Sequence, residues 1–476
     1  MPGVHIENFG CRAARADGEA IGAQLHALAA RESLATDVVV VNTCSVTAEA
    51  DRAARAYIRR AHRQNPSAKI VVTGCYAQRA PQELATMPGV SAVIGNSHKA
   101  LASQIVFRLI QSSKQADALV QIGQVHKDFA AQAASAPPQV AAAQVASGPP
   151  QVVWADDRFA HSFIEDALLA PGAQTRPNLK IQEGCSNRCT FCVIPQTRGP
   201  SRSLPPAVVM KHVENFVAAG GNELVLSGIN LGRWGRDLAG TRSMTLADLI
   251  RSIVEGTALP RLRLSSIEPM DWDEELIGLM GEFGGKRLAR HAHLPLQSGS
   301  DSVLRRMHRR YRPWHYAGKV AELLRAAGPD LTLGADVMVG FPGDSDAEFE
   351  ETFSFIRELP FGYLHLFPFS PRPGTRGWAL HAADPVPAVV VERRMAILRA
   401  LAQEKSRRHR SRFIGRELSI ITLQTGTTLA SLGRTAALSD NFLPIELEGR
   451  FPANQLLSAR VTGLNPEGDL TASCST

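Results

Sequence analysis

No apolar run in this sequence approaches the roughly 18 residues of a membrane-spanning helix; the longest are strand-sized. The amino terminus, MPGVHIENFGC, also lacks the basic segment followed by an apolar one that marks a secretion signal. Both absences point to a cytoplasmic protein. Cysteine is sparse, at seven in 476 residues. In a reducing compartment such thiols are not expected to pair as disulfides, so their positions speak of chemistry instead. Neither sign of charge dominates: 52 Lys and Arg against 45 Asp and Glu leave a formal +7. That is a mild bias toward a polyanionic partner such as nucleic acid. A hydrophobic content of 44% with 20% charged residues is ordinary for a globular chain. The length exceeds what one hydrophobic core can serve, so about two to four domains are expected.

A fourth ligand is missing as well. Residues 185 to 192 read CSNRCTFC, a C-x3-C-x2-C loop of Cys185, Cys189 and Cys192. A tetrahedral zinc or a four-iron cluster normally takes four protein ligands. Zinc modules usually pair two C-x2-C halves, and no second half lies within reach here. Three thiolates can instead hold a four-iron cluster and leave one iron open, as catalysis requires.

Three further cysteines follow strand-like runs. VHIENFG precedes Cys11, DVVVVNTC ends at Cys44, and KIVVTGC ends at Cys75. Helical patterns follow, such as TAEADRAARAYIRRAH, and the spacing is about one βα unit each time. This predicts an open parallel α/β domain over residues 1–110. Its three thiols sit at the carboxyl ends of strands, where such sheets bind ligands. A shared metal site explains this better than three separate structural cysteines.

Residues 111–170 change texture. AAQAASAPPQVAAAQVASGPPQV reads as a linker or insertion. From 171 to 403 the alternation resumes, with strand candidates NLKIQE, NELVLSG, RLRLSSI, HAHLPLQ, TLGADVMVG and GYLHLFPF. Six units fall short of the eight in a closed barrel, so a partial (β/α)6 barrel is expected, with its chemistry at the carboxyl ends. Residues 404–472 begin with the basic helix end EKSRRHRSR and continue as short β runs, predicting a small all-β barrel.

With these motifs in view, the cysteine loop resembles that of the radical S-adenosylmethionine enzymes. The resemblance implies that the methionyl end of that cofactor completes the open iron, and that Cys185, Cys189 and Cys192 are the catalytic cluster's ligands. NTCSVTAEA around Cys44 and GCYAQ around Cys75, with the three-part organisation, look like the methylthiotransferases. GCRAARADGE departs from their pattern, with Ala14 where Asn is usual. The family holds a second, auxiliary four-iron cluster on its amino-terminal cysteines, which implies Cys11, Cys44 and Cys75 here. One cofactor molecule then methylates sulfur at the auxiliary site, and a second supplies the radical that opens a C–H bond. Within the family, HLPLQSGSDSVLRRMHRRY, VGFPGD and HLFPFSPRPGT look most like the branch acting on tRNA threonylcarbamoyladenosine at carbon 2 of adenosine 37. The terminal barrel resembles a TRAM RNA-binding module, with Phe442 where Tyr is commoner. An electron donor and a sulfur donor are implied as further partners.

Other site expectations follow. Glu223, Ser227 and Asn230 are read at the end of the second strand, on the cofactor's amino-acid portion. Ser266 and Glu268 are read near its ribose. Gln297 and Ser298 end the fourth strand, where a turn competes as explanation. Asp336 is read as pocket-facing, because an unpaired buried carboxylate is costly. His293 is assigned to the core or to a supporting position. Gly340 to Gly343 is read as a tight turn, and Cys474 as incidental. Arg198, Arg202, Arg309, Arg310 and Arg372 flank the expected mouth and suit RNA phosphates, and Arg407, Arg408 and Arg410 suit the tRNA backbone. The rival readings are isopentenyladenosine as the substrate, an aspartate of a ribosomal protein, and an iron–sulfur RNA-binding protein without catalysis.

Overall fold

The computed structural model describes residues 3–29, 37–112, 152–160, 162–163, 174–238 and 244–474. It divides into two compact units. The first is Met1–Leu168 with Gly184–Ser186 and Val193–Pro200; the second is Leu169–Glu183, Asn187–Cys192 and Ser201–Thr476.

The first unit is built on β1 (Val4–Asn8), β2 (Val38–Thr43), β3 (Lys69–Gly74), β4 (Val90–Gly95) and β5 (Val152–Trp154). All five are parallel and lie side by side in chain order. The near-continuous apolar runs reflect burial on both faces. Alternate residues separate the two cores. Val40 and Val71 meet Ile21 and Leu25 of helix Arg12–Ala29 and Val106 of helix Ala102–Ser112. On the opposite face Val41 and Val72 meet Ala54 and Ile58 of helix Ala48–Gln64, with Leu84 and Val93. Thr47 caps the last of these helices by accepting from the Ala50 amide, 3.2 Å away.

The linker expected over 111–170 is corrected in part. Its residues Val152–Trp154 form β5 and extend the sheet beside β4, with Ala92 opposite Val152. Residues 113–151, 161 and 164–170 of that segment lie outside the described residues.

In the second unit, β6 (Asn178–Glu183), β7 (Arg202–Ser203), β8 (Glu223–Gly228) and β9 (Arg261–Leu264) form one sheet in the order β7-β6-β8-β9. A second sheet follows, of β10 (His291–His293), β11 (Thr332–Val339) and β12 (Phe361–Pro368). The Ile267 amide donates to the His293 carbonyl (3.0 Å) between the two sheets. β6 and β8 to β12 are the six parallel strands of the expected partial barrel.

The chain closes in a five-stranded barrel of β13 (Glu417–Thr422), β14 (Arg434–Ser439), β15 (Pro444–Glu448), β16 (Leu456–Leu464) and β17 (Leu470–Cys474), around Ile420, Leu447, Val461 and Leu470. Cys474 packs against that core from β17. The helix leading into the barrel, Ala388–Ser411, runs unbroken across position 403. Among the described residues no helix is long and apolar enough to cross a membrane.

Candidate active site

In the first unit, Cys11 follows β1, Cys44 follows β2, and Cys75 follows β3 as the first residue of a short helix. Cys11 is exposed, and Cys44 and Cys75 are buried. Burial raises the Cys44 thiol well above its ordinary value, and the nearby Cys75 and Cys11 raise it further. Gly10 makes the approach possible. Its backbone has φ +105°, and an added Cβ would lie 2.4 Å from Cys44 Cβ and 2.8 Å from its sulfur.

Polar partners surround the three thiols. Asn96, just beyond β4, reaches Cys75 Sγ at 3.3 Å and the Thr197 carbonyl at 2.9 Å. Arg198 Nε lies 3.2 Å from Cys75 Sγ, and its guanidinium pairs with Asp17 at 3.1 Å. Asp17 also receives Lys99 at 2.8 Å, and all three charges are buried. Where Asn would be usual at position 14, the Ala14 carbonyl accepts from the Asn42 side chain, which also donates to Asn8 Oδ1.

The second unit holds Cys189 and Cys192, whose turn is closed by the Cys192 amide donating to the Cys189 carbonyl at 3.2 Å. Phe191 between them packs against Met307, Met338 and Phe341. Thr190 is pinned on both sides: its amide donates to the Met307 carbonyl (3.1 Å), and its carbonyl accepts from the Gly377 amide (2.7 Å). The loop is therefore pre-set rather than free. Beside it opens a small pocket of about 30 Å³, lined by Cys189, Glu268, Met270, Arg309, Arg310 and Tyr311 among others. Arg309 lies 3.4 Å from Cys189 Sγ and pairs with Glu268.

At the carboxyl ends of the neighbouring strands, three buried polar atoms have no hydrogen-bond partner among the described residues: Ser227 Oγ on β8, Ser265 Oγ beyond β9, and Gln297 Oε1 beyond β10. Leaving such groups unmade is costly, so a ligand on that rim is physically reasonable.

Comparison with known proteins now decides the family. Residues 3–95 match the family model described as uncharacterized protein family UPF0004, and residues 179–356 match the radical SAM superfamily. The chain is 33% identical to the threonylcarbamoyladenosine tRNA methylthiotransferase MtaB of Bacillus subtilis, over 94% of this chain and 91% of that protein. It is 32% identical to the Aquifex aeolicus protein of the same name, over 94% and 97%. It is also 32% identical to the tRNA-2-methylthio-N(6)-dimethylallyladenosine synthase of Erythrobacter litoralis, over 88% and 86%. The chain belongs to the radical SAM tRNA methylthiotransferases.

[4Fe-4S] clusters and S-adenosylmethionine are the cofactors of this family, and the residues fit them. Both three-cysteine sets are complete, soft thiolate donors suit iron–sulfur chemistry, and the orphaned rim atoms suit a polar small molecule.

Several site expectations need correction. Glu223 opens β8 instead of ending it. It is fully buried and pairs with Arg263 (2.7 Å), Arg261 (3.1 Å) and Arg176 (3.3 Å). Arg263 continues to the Ser439 carbonyl of the terminal barrel at 3.0 Å, so this cluster is structural. Arg198 is buried beside Cys75 and Arg309 is buried beside Cys189, so neither is the solvent-exposed cation expected. Arg372 is buried near Ser370, and Arg410 is engaged by Asp469 (2.8 Å) and the Gly468 carbonyl. Ser298 bonds Thr352 (2.9 Å) and the Ser300 amide (3.1 Å) within a turn.

Other residues keep positions open to a ligand or to solvent. Asn230 is buried past β8, with its amide on Gln182 Oε1 at 2.6 Å, and Ser266 is exposed next to the buried Ser265. Arg202 is half-buried on β7, and Arg310, Arg407 and Arg408 are exposed. Gly340 and Gly343, with φ of 77° and 70°, flank a turn closed by the Asp344 amide on the Phe341 carbonyl. Sequence reasoning missed Asn96, Asp17 and Ser265. Only the strand-end position of Asn96, one βα unit after Cys75, gave any signal.

Glu223 carries a prediction. Burial acts against its charge, yet Arg263, Arg176 and Arg261 hold its acidity at about 2, against an ordinary 4.5. A carboxylate depressed in this way contributes stability above its unfolded value and loses it as pH falls from about 4.5 toward 2. Glu223→Gln is expected to cost about 3–5 kcal/mol, because the arginines stay buried beside a weaker partner. Its unfolding should also depend less on pH in that window, with S-adenosylmethionine affinity unchanged. Thermal unfolding and cofactor titration of the two proteins check both points.

Proposed function

We propose that this chain methylthiolates carbon 2 of N6-threonylcarbamoyladenosine at position 37 of tRNA. The observation that carries the reading is near-full-length similarity to methylthiotransferases of that name, together with two complete three-cysteine sets. When bound, the clusters would supply the electron that cleaves the sulfonium C–S bond of S-adenosylmethionine, releasing methionine, and a carrier for the transferred sulfur.

The protein's own residues do the positioning. Cys185, Cys189 and Cys192 would hold the catalytic cluster, and the pinned Thr190–Phe191 segment fixes the loop that carries Cys189 and Cys192. Cys11, Cys44 and Cys75 would hold the auxiliary cluster. Asn96 and Arg198 donate toward the Cys75 sulfur, which stabilises thiolate charge there. Arg309 brings positive charge to Cys189 and Glu268 lines the pocket beside it, while Ser227, Asn230, Ser265, Ser266 and Gln297, beyond the neighbouring strand ends, would serve the cofactor. Arg407 and Arg408, on the helix leading into the TRAM-like barrel, suit the tRNA backbone, as does Arg202. Adenosine 37 lies in a loop, where an unstacked base can enter a pocket without melting of a duplex. An electron donor and a sulfur donor are needed from outside the chain, and the reaction belongs in the cytoplasm.

Mass spectrometry of tRNA nucleosides from a strain lacking the protein tests the reading. Loss of 2-methylthio-N6-threonylcarbamoyladenosine, restored by the gene, is expected. Retention of that nucleoside with loss of the methylthio-isopentenyl one would move the protein to the other branch.

A further inference from the structure

On the interior face of the second barrel sheet, β10, β11 and β12 carry His291, His293, Asp336, Tyr363 and His365. The opposite, helix-facing side of the same strands carries buried Ala292, Leu333, Ala335 and Val337. A polar inner face on an otherwise apolar sheet asks for a ligand. Asp336 stands opposite His365 in register. Its Oδ1 lies 3.2 Å from His365 Nδ1, and its Oδ2 lies 3.2 Å from His293 Nε2, off the hydrogen-bond direction. Tyr363 shares its hydroxyl with His293 Nδ1 (2.9 Å) and His291 Nε2 (2.7 Å). The Tyr363 ring crosses β11 where only glycine fits: a Cβ on Gly334 would lie 2.1 Å from it. Burial opposes ionisation of Asp336, but the two imidazoles beside it, His293 and His365, outweigh it and hold the carboxyl well below its usual range.

An ionised Asp336 fixes His365 as a donor through Nδ1, so Nε2 is the nitrogen left to serve a ligand. No described residue bonds it, and the His365 side chain is 59% exposed. The site adjoins the cofactor pocket through a direct link: the His293 carbonyl accepts from Ile267, and the next residue, Glu268, lines the pocket beside Cys189.

Resting on the proposed function, we propose that His365, oriented by Asp336 and His293, recognises the carboxylate and hydroxyl of the side arm on the N6 of the substrate adenosine. At Nε2 an imidazole can offer a carboxylate a charge-assisted donor, or a hydroxyl an acceptor. An apolar alkenyl arm offers neither partner and would leave the polar face desolvated and unpaired. His365 is thus the residue that selects a charged arm.

The test uses the reconstituted full chain with three anticodon stem-loops, carrying threonylcarbamoyladenosine, its threonine methyl ester, or isopentenyladenosine. The wild type should favour the acid over the ester by about 10- to 100-fold in kcat/KM and in binding by fluorescence anisotropy. His365→Phe should shrink that preference to within about threefold while iron content and Tm stay at wild-type values; His365→Gln should lie between. An unchanged acid-to-ester ratio in His365→Phe would overturn the inference and leave the proposed function intact. Wild-type turnover of the isopentenyl loop alone would overturn the proposed function itself. The trio's geometry also fits a divalent ion, so a stoichiometric zinc or manganese that is lost in Asp336→Asn would replace side-arm recognition with metal binding.

Discussion

Replacing Cys185, Cys189 and Cys192 together by alanine is expected to leave about four of some eight irons per chain and to abolish deoxyadenosine formation. On the proposed assignment each loop thiolate would be one of three protein ligands, with no neighbouring thiol among the described residues to substitute. The remaining described thiols lie after β1, β2 and β3 or on β17. The loss of reductive cleavage should exceed ~1,000-fold, more than 4 kcal/mol of barrier. Folding should survive, because the loop is held by the Thr190 bonds and the Phe191 contacts and not by its thiols alone. Iron analysis and chromatography of deoxyadenosine check the result. A variant with no iron, or with the full complement, would contradict separate sites.

The companion change is expected to split the chemistry the other way. With Cys11, Cys44 and Cys75 replaced by alanine, deoxyadenosine should still form and about four irons should remain, while methylthio product disappears. The physical reason is the environment of Cys44. Unmetallated, its thiolate is disfavoured by burial and by two neighbouring sulfurs. A cationic cluster core reverses that sign and deprotonates the thiols outright. Without the three sulfurs, Asn96 and Arg198 keep their positions through Thr197 and Asp17, so the unit should stay folded. Loss of deoxyadenosine as well would show that the auxiliary set supports the cleavage step.

Much of this was legible in the sequence. The β-branched runs before Cys44 and Cys75 declared strands buried on both faces, and their even spacing placed the thiols at one sheet edge. The C-x3-C-x2-C loop was legible because it offers three thiolates with no second C-x2-C half nearby to close a four-ligand site. What stayed hidden depended on tertiary partners. Arg198 follows the loop in sequence and reads as a mouth-lining cation, yet its partner Asp17 sits inside a helix far away along the chain. Glu223 belongs with Arg176, Arg261 and Arg263, a cluster with no local spacing, and it opens a strand whose far end was the expected site. β5 is three residues long and follows an Ala/Gln/Pro-rich stretch, so only its pairing with β4 reveals it. The interior trio escaped because Asp336, His293 and His365 come from three strands whose register no single segment encodes.

The most direct measurement is a single-turnover reaction of the reduced, reconstituted chain with S-adenosylmethionine and a threonylcarbamoyladenosine stem-loop, read by nucleoside mass spectrometry. The account predicts the 2-methylthio derivative together with deoxyadenosine. Deoxyadenosine formed beside an unaltered nucleoside, with the sulfur-loaded auxiliary site intact, would contradict it.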